Sequence, residues 1–317
     1  MNTKAMLTII RCLIASALIT GPLALAQTPA ETATPGIAGV VAAGTPVELI
    51  WTTLTDSADG IVGAPDGSLL FAQEPVSKIS RIDADGRVTS YMENTNGTGA
   101  LALDAAGRIF ACQRHEVAVG ILSPEPQILT DNFQGEPLFG ANDLVVDRKG
   151  GVYFTESGRR PFPGVYYISP AGSMTSLGTD IRANGIMLSG DERTLYVTNS
   201  QTILAFDVLP DGMVNNRRTF GTVEGGSNVR ADGLAIDAMG RVYAASQVGI
   251  QIFSPQGEHL GLIPVPRPTT SVAFAGADKR TLYMTARGAE GATPEQRNAR
   301  SMYKVSLLAA GFAGRAK

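Results

Sequence analysis

Four polar residues stand at one phase of the sequence, each just ahead of a short apolar run: Asp59-Gly60, Asn142-Asp143, Asn184-Gly185 and Asp232-Gly233. One such pair is only a turn signal, because a short polar side chain and a glycine both ease the chain through a bend. Four in register are more than turns. They bring two carboxylates and two amide oxygens to the same end of a set of strands. That all-oxygen donor set suits a hard divalent cation, Ca2+ first, with Mg2+, Mn2+ or Zn2+ as the other options. No histidine cluster or thiolate set favours zinc as a soft-ligand site. A divalent ion polarises a carbonyl or phosphoryl oxygen and lowers the pKa of bound water. Asp232, with one oxygen left over, is the candidate general base. Asp143 either orients Asn142 or braces its strand. The second unit carries Thr98-Gly99 at the corresponding place, which makes Thr98 a candidate substrate contact. Ser157 and Ser246 have no histidine and acid partners in view, so a serine triad is not indicated. His115 and His259 fall in the outer parts of their units and read as surface residues.

The elements that must hold these residues form a repeat. A leading aspartate, a turn and a strand rich in apolar and aromatic residues recur at Asp66, Asp104, Asp147, Asp191, Asp237 and Asp278. The intervals are 38, 43, 44, 46 and 41 residues. Six copies of that length match four short strands per unit, the pattern of a propeller blade. Apolar runs such as Leu144-Val145-Val146 and Leu234-Ala235-Ile236 precede the turn and predict the innermost strands. The last unit runs out after its third strand, Ser301–Val305, and the orphan run Val47–Thr52 near the start can supply its fourth. The fold expected is therefore all-β, a six-bladed β-propeller closed by an N-terminal strand; a two-layer sandwich or two β domains would not explain six copies in phase. Closure also removes the exposed sheet edges of a linear array. The stretch Gly288–Arg300 reads as a surface loop inserted in the last unit.

The ends and composition place the protein. Lys4 and Arg11 precede or open an apolar run to Leu25, followed by Ala24-Leu25-Ala26, which predicts a signal peptide over 1–26 and a secreted or periplasmic product. Residues 27–44 read as a flexible leader, 45–310 as the propeller and 311–317 as a C-terminal tail. Loss of Lys4 and Arg11 leaves 24 basic residues against 29 acidic ones, and no basic cluster tracks a nucleic-acid backbone. The expected partner is a small-molecule substrate, with no nucleic acid and no membrane once the signal is cleaved; monomer and dimer stay open. Cys12 leaves with the signal, and Cys112, in the alternating run Ile109–Cys112, reads as a buried inert thiol.

The motifs Asn142-Asp143-Leu-Val-Val-Asp, Gly151-Val-Tyr-Phe-Thr, Asn184-Gly185 with Asp191-Glu-Arg-Thr-Leu-Tyr-Val, Asn215-Asn216-Arg217-Arg218-Thr-Phe, Asp232-Gly233-Leu and Ile263-Pro-Val-Pro together resemble the regucalcin/gluconolactonase family. These senescence-marker-like six-bladed propellers are related to diisopropyl-fluorophosphatase, and the resemblance runs from Asp59 to Leu307. It implies a divalent metal in the channel, held by Asn142, Asn184 and Asp232, with Asp232 as base. The family's glutamate ligand corresponds to Asp59, one methylene shorter. The family's Lys-Arg-Leu-Asn-Ser-Pro-Asn-Asp loop is replaced by Glu136–Asp143, which brings in Phe139, and a later Asp-Pro-Pro segment by Glu156–Arg160. These departures make Phe139, Glu156 and Arg159, with Arg114, candidate substrate contacts, and the apolar rim they imply points away from a free sugar-acid lactone. The activity implied is metal-dependent hydrolysis of a lactone or related ester. The alternatives are a non-catalytic, calcium-stabilised ligand-binding propeller, phosphotriesterase-like activity, or a scaffold for protein partners.

Overall fold

The leading aspartate of each repeat closes a hairpin by satisfying the amides of its turn. In the computed structural model, which describes residues 32–157 and 164–314, Asp104 Oδ1 accepts from the N–H groups of Ala106 and Arg108. Asp147 does the same for Lys149 and Gly151, and Asp237 for Met239 and Arg241. Asp66, Asp191 and Asp278 each take one amide, from Ser68, Arg193 and Arg280. These are Asx turns, and they explain why aspartate recurs there.

Between the turns lie six antiparallel blade sheets in ring order, with a separate two-stranded hairpin, Asn132–Phe133 with Glu136–Pro137, ahead of the third. The first holds Asp59–Gly63, Leu69–Gln73, Lys78–Ile82 and Val88–Glu93. The inner strands of the next four are Thr98–Leu103, Ala141–Val146, Ala183–Leu188 and Ala231–Ile236. Each is followed by three further strands in simple order. The sixth sheet runs Thr269–Ala275, Thr281–Arg287, Arg300–Ser306, then Pro46–Thr53 from the N-terminal side. Trp51 faces Met302 across that last pairing. The inner strand of the sixth sheet also packs on that of the first, so the ring closes as expected.

The closing sheet carries one strand more than the repeat predicts. Thr32–Ala33 pairs with Pro46 and Val47. This corrects the reading of 27–44 as flexible for residues 32–44. Ile37, Val40 and Val41 are buried in the core shared by the fifth and sixth blades, with Ile252 and Val305. Three aliphatics in five residues suffice to dock a segment whose composition otherwise looks unstructured. The propeller likewise runs past residue 310. Gly311 bridges Asp237 and Phe312 packs against the core of the third to fifth blades. The expected signal peptide lies outside the described residues. Among those residues no helix is long and apolar enough to cross a membrane.

The blades pack face to face through aliphatic and aromatic side chains, with Tyr153, Tyr166, Tyr243, Phe71 and Phe110 fully buried. Buried phenols find acceptors on neighbouring turns: the Tyr153 hydroxyl donates to Gly212 O at 2.8 Å, tying the third blade to the fourth. Cys112 is buried in this packing and forms no disulfide among the described residues, as its alternating context indicates.

Candidate active site

Every inner strand slips its register with the second strand at the same point. In the third blade Ala141 faces Glu156 and Leu144 faces Phe154, so Asn142 and Asn142's neighbour Asp143 stand against Thr155 alone. Such a bulge re-aims a side chain out of the alternating pattern. Here it leaves Asn142, Asn184 and Asp232 half-buried while the residue after each is buried.

The residue after each is pressed against the next inner strand. A Cβ at Gly185 would lie 2.2 Å from Asp232 O, so only glycine fits. Asp143 solves the same contact differently. Its Oδ1 accepts from Leu144 N at 2.9 Å and its Oδ2 from Ile186 N at 3.1 Å, stitching the third blade to the fourth. Of the two roles open to Asp143, bracing is the one its hydrogen bonds perform.

The re-aimed side chains meet in one cavity of about 220 Å³. Asp59, Asn142, Asn184 and Asp232 line it, together with Arg114, Thr270, Ser271, Arg287 and Arg300. No lining side chain is both apolar and larger than alanine. A chain of polar contacts fixes the amides. Arg114 Nη1 pairs with Glu74 Oε2 at 2.8 Å, and Arg114 Nη2 donates to Asn142 Oδ1 at 3.1 Å. With its oxygen so held, Asn142 presents Nδ2 to Asn184 Oδ1 at 2.6 Å. Each amide oxygen keeps a second lone pair. Asp59 Oδ1 accepts from Gly60 N at 3.1 Å and from Thr270 Oγ1 at 3.3 Å.

Asp232 is the electrostatically perturbed member. Burial pushes its carboxyl up to about 8, and the charge of Asp59 adds to the shift. Arg287 and Arg114 pull the other way and Asp143 adds a smaller push. A carboxyl near 8 exchanges its proton around neutral pH, which is where a general base is effective.

The donor set fits a hard divalent ion: two carboxylates and two amide oxygens facing one polar space. Among the described residues no group of three or more His, Cys, Asp or Glu side chains is clustered for a metal. An ion here would therefore depend on the two asparagines as much as on the acids.

The structure brings Asp59, Asn142, Asn184, Asp232 and Arg114 together and leaves the other candidates out of the cavity wall. Thr98 is the register partner of Gln113, as Ala141 is of Glu156, so Gly99 and not Thr98 holds the place of Asn142. A slip of one residue turns a side chain to the opposite face. The Thr98 hydroxyl is buried and donates to Thr95 O at 2.7 Å. Glu156 is buried too, and its Oε1 accepts from the N–H groups of Phe139 and Gly140, so it braces the loop entering the third blade. Phe139 is 54% exposed and does not line the cavity, which corrects the expected apolar rim. Arg159 lies outside the described residues. Arg287, Arg300, Thr270 and Ser271 were not expected. Thr270-Ser271 precedes Val272 in phase with the other rim pairs and was findable. The arginines bracket the inserted loop Gly288–Ala299, and strand pairing returns both its ends to the mouth.

A family model described as the SMP-30/Gluconolactonase/LRE-like region matches residues 57–288. The chain belongs to this family. The gluconolactonase of Zymomonas mobilis is 26% identical to this SMP-30/gluconolactonase-family chain over 293 residues, spanning 80% of this chain and 82% of that one. Lactonase drp35 of Staphylococcus haemolyticus is 27% identical over 246 residues, 68% of this chain and 73% of the relative. Among solved structures, a gluconolactonase from Xanthomonas campestris superposes with a TM-score of 0.72 at 22% identity, covering 89% of this chain and 99% of its own. A calcium-binding regucalcin from Agrobacterium tumefaciens superposes at 0.66 and 19% identity, over 86% of this chain and 95% of its own. These superpositions show the shared propeller. Membership of the family supports a hydrolytic enzyme activity in general terms.

Proposed function

We propose that this protein hydrolyses a small polar lactone or related ester in the channel of its propeller, in the periplasm or outside the cell. The observation that carries the reading is the convergence of Asp59, Asn142, Asn184 and Asp232, from four of six inner strands, on one polar cavity. A divalent ion held by these four residues, Ca2+ in first place, would supply Lewis acidity toward the ester carbonyl. Asp232 faces the cavity and takes the proton of the attacking water. Arg114, anchored by Glu74, keeps the Asn142 amide oriented and places a positive charge beside the cavity. The cavity is smaller than that of drug-sized ligands, and its polar walls fit a compact, hydroxylated ring.

The test is turnover of a lactone panel before and after chelation, with Ca2+ or Mn2+ restored. Activity that is lost and regained, and that falls about 10²- to 10⁴-fold in Asp232→Asn, supports the reading. Turnover unaffected by both treatments refutes it. The second reading, a calcium-stabilised binding propeller, draws on the shorter Asp59 and its ties to Gly60 and Thr270. It is selected if metal raises heat stability while no panel member turns over.

A further inference from the structure

The sixth blade contributes charge to the cavity that neither the metal ligands nor the base explain. Arg287 ends the strand Thr281–Arg287 and Arg300 begins the strand Arg300–Ser306, and the two are direct cross-strand partners. Side chains so paired leave one face of the sheet side by side, and both line the cavity. Like charges in that arrangement repel, a cost the fold would shed by placing an acid opposite. The acids that face them are the candidate metal ligands: the charge of Asp59 acts on Arg300 and that of Asp232 on Arg287. Neither guanidinium makes an ion pair among the described residues. Arg300 is nevertheless held: its Nη1 donates to Arg297 O at 2.9 Å and Ala299 O at 3.0 Å, both in the inserted loop. Its buried Nε finds no acceptor among the described residues. The loop thus fixes one edge of the guanidinium and leaves the Nε–Nη2 fork, the edge that grips a two-oxygen anion, without an acceptor.

The remaining charges of the cavity do not neutralise this pair. Arg114 is matched by Glu74, and both oxygens of Asp143 are taken by backbone amides. Asp59 and Asp232 sit with the asparagines and would be matched by a divalent ion. With those groups balanced, the two arginines face only the carboxylate of Asp143, and an excess of one positive charge is left in the cavity.

We propose that Arg287 and Arg300 form an anion subsite, so that the lactone or ester accepted by this protein carries an acidic group, a carboxylate or a phosphate, on the side away from the scissile bond. This rests on the hydrolase reading for its substrate, though the subsite itself can be tested without turnover. The inserted loop then has a role: it carries the carbonyls that aim Arg300.

The experiment has two arms. In the first, Ca2+-supplemented protein is titrated with acetate and with inorganic phosphate at constant ionic strength, following thermal unfolding and calorimetric binding. Wild type is expected to bind and be stabilised by at least one of them, and Arg287→Gln/Arg300→Gln is expected to lose about 10- to 100-fold in affinity. Which anion binds more tightly names the acidic group. The double variant also loses the Arg300 bonds to the loop, so affinities are compared at a temperature where both proteins are folded in anion-free buffer, which separates loss of the subsite from loss of fold. In the second arm, kcat/KM is compared for two lactones differing only by a carboxylate, and the acidic-to-neutral ratio should fall by a similar factor in the double variant. Absence of anion binding in wild type, equal binding in the variant, or an unchanged ratio overturns the proposal. Turnover of neither lactone, with anion binding intact and arginine-dependent, would remove the hydrolase reading and leave the subsite standing.

Discussion

Without metal, Asp232 should make this propeller lose stability as the pH rises through neutrality. Its ordinary value is 3.8 and the folded value is about 8, with burial the main cause and Asp59 the next. Between those two values the unfolded chain has released the proton while the folded chain keeps it. The folded state binds more protons there, so rising pH favours unfolding, and the effect levels off above the folded value. One pKa unit is worth about 1.4 kcal/mol, so from about pH 5 to about pH 7 the loss should be about 1.4 kcal/mol per pH unit. The assay is urea unfolding of chelator-treated protein across that range, for wild type and Asp232→Asn. The asparagine cannot titrate, so the difference between the two curves isolates this carboxyl. Asp59→Asn removes a neighbouring charge and should move the levelling-off to lower pH. Added Ca2+ competes with the proton for the same oxygens, and should stabilise wild type more at about pH 8 than at about pH 6. Wild-type and Asp232→Asn stabilities that run parallel across the whole range would refute the electrostatic account of this site.

Other perturbations test the scaffold that aims these residues. Glu156→Gln keeps the one oxygen that accepts from the amides of Phe139 and Gly140, but removes the charge that strengthens those bonds and introduces an unmatched amide group. It should cost about 1–3 kcal/mol by denaturant unfolding and speed hydrogen exchange at those two amides. Asp143→Asn replaces one of two accepting oxygens and should cost a similar about 1–3 kcal/mol, without moving the Asp232-dependent slope with pH in sign. Gly185→Ala drives a methyl to 2.2 Å from Asp232 O; the inner strands must separate, with a cost of about 1–3 kcal/mol or more in unfolding and weaker Ca2+ binding by calorimetry. Asp59→Glu restores the methylene that the family resemblance finds missing and should tighten Ca2+ binding; unchanged affinity would show that the length of this side chain does not limit the site.

How much of this was legible beforehand depends on the range of the interaction concerned. The aspartates of the repeat act within four residues of themselves, on the amides of their own turns, so their recurrence in sequence is the structural rule seen directly. The inner strands follow from the same local period, and the closing strand from counting what the last unit lacks. The four polar rim residues were legible for the same reason, since each occupies one phase of the period. The leader was not, because Ile37, Val40 and Val41 are buried by strands more than two hundred residues away, and composition carries no information about such a partner.

Where the reading slipped, it slipped by one residue at the bulge. Matching the polar-glycine pairs places Thr98 level with Asn142, but the bulge is defined by pairing with the second strand, and pairing places Gly99 there. That glycine is not an empty position. A Cβ at residue 99 would sit 2.3 Å from Arg114 Nε, so the second blade gives up a rim side chain to let a neighbouring guanidinium cross to Asn142. The site is thus built from five polar contributions and one deletion. Arg114 reaches the Asn142 amide because residue 99 has no side chain, and Glu74, from the turn after the second strand of the first blade, holds it there. In the sixth blade Thr270 stands at the phase of Asn142, and a pair of arginines from the next two strands reaches the cavity beside it. Around the ring, then, the candidate ligands come from four blades and guanidinium groups approach from the two others, so acids, amides and arginines share one small cavity.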